Sequence, residues 1–316
     1  MEILKDVYQI KAPLGDRFVC QYLLKGKRAS LLIDTGVAGM GNEVIIPYLK
    51  DVSITRDSLL YILNTHADVD HIGGNYELKK EFPNSILMTH KEDLRWVESK
   101  EAIMSEQYGW YVKHELDYPE DVKKWIEKGL GNQIKMDMVL KGDEEIRLDE
   151  DWKIEIIHLP GHSLGHTGVQ DPKNNAIFIS DAVLHRGVYS TKGELLGPPK
   201  YYDAKLYRKT IKRLKGMKPK YLITAHYELM KDEKAISFLN ESLSFTRELD
   251  EILRNTLSEK ALTTKELLER INPKIGPYPS MSIELSACII SNLKVLEKKG
   301  EVRKVKKGEF DAWIKS

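Results

Sequence analysis

The stretch NTHADVDHIGG, residues 64–74, sets two histidines and two aspartates within six positions: His66, Asp68, Asp70 and His71. Imidazole and carboxylate are the side chains that bind borderline and hard divalent metals. A helix-capping role explains one or two such residues, not four. On an extended loop alternate side chains project the same way. His66, Asp68 and Asp70 are therefore expected to converge, with His71 facing another side and free to serve a second metal. The apolar run SLLYILNT (58–65) before the cluster reads as a buried strand, and GGNYELKKEF after it starts a helix. The cluster thus falls on a loop at the carboxyl end of a strand, where open α/β sheets build their sites.

Outward from this loop the chain divides by pattern. Residues 7–10, 16–24 and 29–33 read as strands, and LLIDTG closes the third with Asp34 and a glycine turn. Residues 40–52 have helical spacing. Residues 91–136 look helical and carry Trp96, Tyr108, Trp110, Tyr111, Tyr118 and Trp125. Strand signals return in DMVL, EEIRL, WKIEIIHL, GVQD and NAIFISD. A helix over 202–217 then leads to the strand KYLITAH, and residues 232–256 read as one long helix. From about residue 258 a short helix capped by Thr263 or Thr264 precedes a longer one that ends at a glycine. Two short strands around a tight, basic turn follow, a pattern that predicts a winged helix. GPPKYYD and PYPSMSIEL read as loops without chemistry.

Three more metal-binding residue types stand at the ends of predicted strands: His162 in HLPGHSLGHTG, Asp181 in IFISDAVL and His226 in YLITAHYEL. A lone histidine is more often a hydrogen-bonded structural residue than a ligand. Three such placements behind an H-x-D-x-D-H loop point instead to one shared sheet edge. His166 reads as structural, orienting its loop. His90 and His158 are weaker candidates, and His185 follows Asp181 closely enough to line a pocket.

The order H-x-D-x-D-H, then GH, then a strand-ending aspartate, then a strand-ending histidine, with LLIDTG upstream, resembles the metallo-β-lactamase-fold hydrolases over roughly residues 1–235. The resemblance implies an α/β fold: an αββα metallo-β-lactamase sandwich with a small C-terminal α+β winged-helix-like domain. Its expected parts are residues 1–235 with the aromatic insertion 91–136, a connecting helix 236–257, and the winged-helix-like domain 258–316. It implies two divalent metal ions, with zinc the usual occupant. His66, position 68 and His162 would hold the first ion, Asp70, His71 and His226 the second, and Asp181 would bridge. Most members carry histidine where this chain has Asp68. A third carboxylate lowers the charge of the site, so bound water is polarised less and preference moves from zinc toward iron or manganese if Asp68 is a ligand; alternatively Asp68 binds poorly, leaving the first site weak and the second dominant.

The function implied is hydrolysis of an ester, thioester or lactone-type small molecule by a metal-bound hydroxide, with Asp70 orienting the nucleophile. The aromatic insertion either forms a lid or pocket wall or simply packs onto the domain, and Trp110, Tyr111 and His185 are the expected substrate contacts. Composition limits the alternatives. Across 316 residues, 41% are hydrophobic and 31% charged, and the formal net charge is +1. No global basic excess argues for nucleic acid and no acidic excess for disorder. Locally, though, residues 294–308 carry seven Lys/Arg and two Glu. Together with the winged helix this resembles the β-lactamase-like endoribonucleases, so RNA cleavage is the second reading. A diiron redox protein is the third, since flavodiiron proteins carry a carboxylate at the position of Asp68. This chain lacks their flavodoxin-like domain. Winged helices also serve as packing or dimerisation modules, which is compatible with a homodimer. Cys20 and Cys288 form no metal or redox motif. The N-terminal MEILKDVYQIKAP has no apolar signal core, and no apolar run approaches the roughly 20 residues of a membrane span. A cytoplasmic enzyme with no membrane partner is therefore expected.

Overall fold

Runs of consecutive apolar residues, rather than strict alternation, mark strands covered on both faces. In Ser30–Ile33 all four residues are buried. The computed structural model describes residues 1–316 and places this segment near the middle of a seven-stranded sheet. Its strands lie side by side in chain order: β1 (Glu2–Leu4), β2 (Val7–Leu14), β3 (Arg17–Lys25), β4 (Ser30–Ile33), β5 (Leu60–Asn64), β6 (Ile86–His90) and β7 (Met138–Leu140). β1 to β4 pair antiparallel, and β4 to β7 pair parallel. The second sheet contains β8 (Glu144–Arg147), β9 (Lys153–His158), β10 (Thr167–Asp171) and β11 (Ala176–Phe178). A small hairpin, β12 (Val188–Tyr189) with β13 (Leu195–Gly197), stands outside it. Two further strands, β14 (Tyr221–Ile223) and β15 (Met230–Lys231), complete the order β15-β14-β11-β10-β9-β8. β11 and β14 are parallel.

The cores show the layering. Val7, Tyr22, Leu31 and Leu63 of the first sheet meet Ile154, Val169, Phe178 and Ile223 of the second in one buried cluster between the sheets. Outside the first sheet, Leu32, Ile62 and Leu87 pack against Ile45, Leu49 and Leu78 of the flanking helices. Outside the second, Ile177 and Leu222 pack on helices Ala204–Met217 and Glu233–Thr256. This is the expected αββα sandwich. Asp203 caps the first of these helices by accepting from the Leu206 amide.

The C-terminal segment adds helices Thr264–Ile275 and Leu285–Lys298 and a three-stranded sheet. That sheet contains β16 (Leu262–Thr263), β17 (Val302–Lys307) and β18 (Phe310–Lys315), in the order β16-β18-β17. Thr263 and Glu266 form a reciprocal capping box. Leu267, Ile271, Leu293 and Trp313 belong to the same buried cluster as Ile177 and Leu222. The change of pattern near residue 258 is thus not a break in the core. Both cysteines are buried and free, and no helix is long and apolar enough to cross a membrane.

Residues 91–136 form short helical turns ending in the helix Glu120–Gly129. Ile103, Tyr108, Tyr111 and Ile126 pack there against Ala67, Val69 and Ile72 of the His/Asp loop and against Ile283 and Ala287 of the C-terminal segment. The insertion therefore bridges the loop and the far end of the chain.

Candidate metal centre

Each apolar strand delivers the polar residues that follow it to one edge of the sandwich. β4 ends before Asp34, β5 before the His/Asp loop, β9 before His162, β11 before Asp181 and β14 before His226. Gly161, at φ +141°, lets the chain carrying His162 pass against Tyr207; a β-carbon there would meet Tyr207 Cα at 2.5 Å.

The loop departs from simple alternation at Asp68. That residue is extended, at φ −72° and ψ 150°, and immediately precedes a one-turn helix, Val69–Ile72, without capping it through its side chain. Asp70 is turned away from His66 and Asp68 and joins His71. The expected convergence of His66, Asp68 and Asp70 is thereby corrected. The donor atoms of His66, Asp68 and His162 lie within 4.8 Å of one another, as do those of Asp70, His71 and His226. Asp181 meets the same limit with His66 and His71, so it stands between the two groups.

The four imidazoles share one device. His71 Nδ1 donates to Asp34 Oδ2 at 2.8 Å, His162 Nδ1 to the Lys200 carbonyl at 2.7 Å, and His226 Nδ1 to the Phe18 carbonyl at 2.9 Å. His66 Nδ1 lies 3.0 Å from Thr65 Oγ1, whose proton goes to Asp34. A proton fixed on Nδ1 leaves the Nε2 lone pair free for a metal, the usual arrangement of metal-binding histidines. His66 Nε2, His71 Nε2 and Asp181 Oδ1 are buried without any hydrogen-bond partner. Buried polar atoms are normally paired. Orphaned nitrogen and oxygen donors converging on one point fit a divalent cation.

The electrostatics agree. Burial, reinforced by neighbouring His71, pulls the His66 pKa down to about 4, which keeps its ring neutral. Burial opposes charge on Asp181, but His226 and His71 hold its carboxyl well below the usual range. Burial also opposes charge on His71, yet Asp34, Asp181 and Asp70 push its proton affinity well above an ordinary imidazole's. Such a concentration of carboxylates attracts positive charge.

Several polar neighbours of these donors carry no local signal in the sequence. Lys200, in the segment GPPKYYD, is 5% exposed and donates to Asp68 Oδ2 at 2.5 Å. Gln107 Nε2 donates to Asp68 Oδ1. Arg17 donates to Asp70 Oδ2 at 3.3 Å. Glu284, in PYPSMSIEL, accepts from Tyr118 Oη at 2.9 Å. Asp93 accepts from Ser163 Oγ at 2.5 Å and from the Gly165 amide at 2.9 Å, tying down the His162 loop. Both loops read as featureless therefore supply polar groups. No local signal marks these side chains, because each acts on a partner far away in the sequence.

A cleft opens over the donor groups, walled by Val69, Tyr108, Tyr118, Trp125, Ile126 and Met281. The expected substrate contacts are corrected here. Tyr111 is fully buried, and its hydroxyl meets that of Tyr202 at 3.2 Å. Trp110 faces a separate cleft with Lys113 and Lys304. His185 pairs with Glu241 at 2.7 Å and stacks on Phe238, lining an adjoining surface groove that also touches His226. His166 stacks 4.7 Å behind His66. His90 and His158 stack on each other at 4.3 Å. The insertion does wall the cleft, but through other aromatics than those named from sequence.

The family model of the metallo-β-lactamase superfamily matches residues 14–226. The chain belongs to this superfamily. It is a metallo-hydrolase of that group, whose members bind divalent metals. Hydroxyacylglutathione hydrolase of Pelagibacter ubique (strain HTCC1062) is 28% identical over 269 residues, 83% of this chain and 89% of that protein. N-acyl homoserine lactonase of Bacillus thuringiensis is 24% identical over 247 residues, 70% of this chain and 80% of that protein. A metallo-β-lactamase family protein of Thermus thermophilus superposes with a TM-score of 0.77 over 100% of both chains, at 18% identity. That likeness is one of fold, and it includes the C-terminal segment.

Proposed function

We propose that this superfamily member hydrolyses an ester, thioester or lactone-type small molecule at a divalent-metal centre formed by His66, Asp68, Asp70, His71, His162, Asp181 and His226. The observation that carries this reading is the set of buried donor atoms without partners, His66 Nε2, His71 Nε2 and Asp181 Oδ1, grouped with Asp68, Asp70, His162 and His226, which together with Asp181 line one cleft. A bound divalent cation supplies Lewis acidity, which makes hydroxide accessible near neutral pH and draws electron density from a scissile carbonyl.

The chain's own residues do the rest. Asp70, anchored by Arg17, is placed to orient the attacking water and to carry its proton to the leaving group. The Tyr108 hydroxyl accepts from the Val69 amide at 3.0 Å and so fixes the turn between Asp68 and Asp70. Tyr108, Tyr118 and Ile126 give the cleft an apolar wall, which suits an acyl or lactone group better than a polyanion. The names of the hydroxyacylglutathione hydrolase and lactonase relatives support the same class. Three of the seven basic residues of 294–308 are tied to carboxylates, which weakens the RNA reading. Lys304 and Lys306 both pair with Asp311, and Lys307 pairs with Glu266.

The test combines metal analysis with a screen of thioester, lactone, phosphodiester and β-lactam substrates. Asp70→Ala and His71→Ala should each lose metal and hydrolysis together. Full activity in either variant would sink the proposal.

A further inference from the structure

The seven donors form two groups of unequal state. Asp70, His71, His226 and Asp181 offer two imidazoles and two carboxylates, a set that one divalent cation neutralises. His66, His162 and Asp68 offer two imidazoles and one carboxylate, and that carboxylate already faces a cation. Lys200 Nζ lies 2.5 Å from Asp68 Oδ2, and His162 Nε2 lies 3.2 Å from the same oxygen. The other oxygen accepts from Gln107. Lys200 and Gln107 therefore donate to the two carboxylate oxygens, whereas His162, with its proton on Nδ1, turns only a lone pair toward Asp68.

Building on the metal-centre reading above, we infer that the chain holds a single divalent cation, at Asp70, His71, His226 and Asp181. In this assignment the Lys200 ammonium takes the place of a second cation on Asp68. The expectation of two ions for seven donors is replaced by one ion and one ammonium.

Charge and burial carry the argument. Asp68 is 8% exposed and Lys200 5%. A buried ammonium is tolerated only beside a buried counter-charge, and Asp68 is the carboxylate in contact with it. With one divalent ion, its two charges and that of Lys200 match Asp68, Asp70 and Asp181, while Asp34 is taken up by His71, Thr65 and Ser180. Arg17 and Glu284, the remaining charged residues of the cleft, balance each other. A second divalent ion at Asp68 would have to displace a buried ammonium from its carboxylate. The aspartate at position 68 and the lysine at position 200 are then two halves of one substitution for a histidine and a metal. A histidine at position 68 would leave Lys200 without its partner.

The experiment is metal counting by elemental analysis, after saturating the purified full-length protein with Zn(II) or Co(II) and removing free ion. Wild type should hold one ion per chain. Lys200→Met, which frees the Asp68 carboxylate, should hold two. Should that variant fail to fold, Asp68→His with Lys200→Met leaves no unpaired buried charge and should also hold two. Two ions per wild-type chain, or one ion in a folded Lys200→Met or in the double variant, overturns the inference. Two ions with intact hydrolysis would overturn the single-cation assignment and leave the hydrolase reading standing. No ion in any variant overturns the metal centre itself.

Discussion

Asp34 touches no wall of the cleft, yet it organises the floor. Its carboxylate accepts from the Thr65 amide at 2.8 Å, from Ser180 Oγ at 2.9 Å, and from His71 Nδ1. It holds a left-handed backbone at φ +62°, a conformation that asparagine and aspartate tolerate better than most residues. Asp34→Asn keeps shape and backbone but sets an amide N–H against His71 Nδ1. The ring is then driven to carry its proton on Nε2, the nitrogen that must face a cation. Metal affinity, measured by competition with a chromogenic chelator, is expected to fall by roughly 10- to 100-fold, the usual cost of losing such a supporting contact. Far-UV circular dichroism should not change. Unaltered affinity would show that Asp34 does not set the tautomer. At this scale the sequence was legible wherever chemistry was packed locally. H-x-D-x-D-H, the strand-ending Asp181 and His226, and Asp34 in LLIDTG all declared themselves. Lys200 and Gln107 did not, because a lysine or glutamine acquires meaning only when folding sets it beside Asp68.

Among the elements, strands were the more readable. β4, β5, β11 and β14 are short apolar runs with polar ends, and that combination both buries a strand and places its last residues at the sheet edge. The loop between β5 and the helix Asn75–Glu81 differs from the extended form expected, since a single helical turn of four residues has too little periodicity to show in sequence. That turn decides which group of donor atoms Asp70 joins. It is locked by close packing at Gly73, whose amide donates to the Gly36 carbonyl at 2.8 Å. A β-carbon on Gly73 would lie 2.2 Å from the Gly129 carbonyl oxygen and 2.4 Å from the Ala38 nitrogen, both backbone atoms. Gly73→Ala must therefore push the end of the helix Glu120–Gly129 away from the loop. A loss of about 1–3 kcal/mol in urea unfolding is expected, as for other overpacked sites, along with weaker metal retention. If stability fell while metal affinity stayed at the wild-type value, the insertion would be packing against the loop without holding its geometry.

Across the whole molecule, the C-terminal segment belongs to the enzyme rather than hanging from it. The pattern change near residue 258 predicts a winged-helix-like domain, but composition and periodicity report local structure and not where an apolar face is buried. The long helix Glu233–Thr256 buries Phe238, Leu239, Phe245, Leu249 and Leu253. These residues share one cluster with Ile177 of the second sheet and with Leu267, Leu293 and Trp313 beyond residue 258. Met281 and Glu284, from the same segment, reach the cleft. Leu293 is fully buried in the middle of the helix Leu285–Lys298. If the shared core makes one cooperative unit, Leu293→Ala should destabilise the entire chain by about 2–5 kcal/mol, the usual cost of such a truncation. Calorimetry should then show one transition moved down as a whole, with metal release and loss of tertiary signal coinciding. A separate early transition, with the metal centre intact above it, would instead mark residues 258–316 as an independent unit. The contacts of Glu284 with Tyr118 and of Ile283 and Ala287 with the insertion favour the single transition, because unfolding the C-terminal helices would also strip the wall of the cleft.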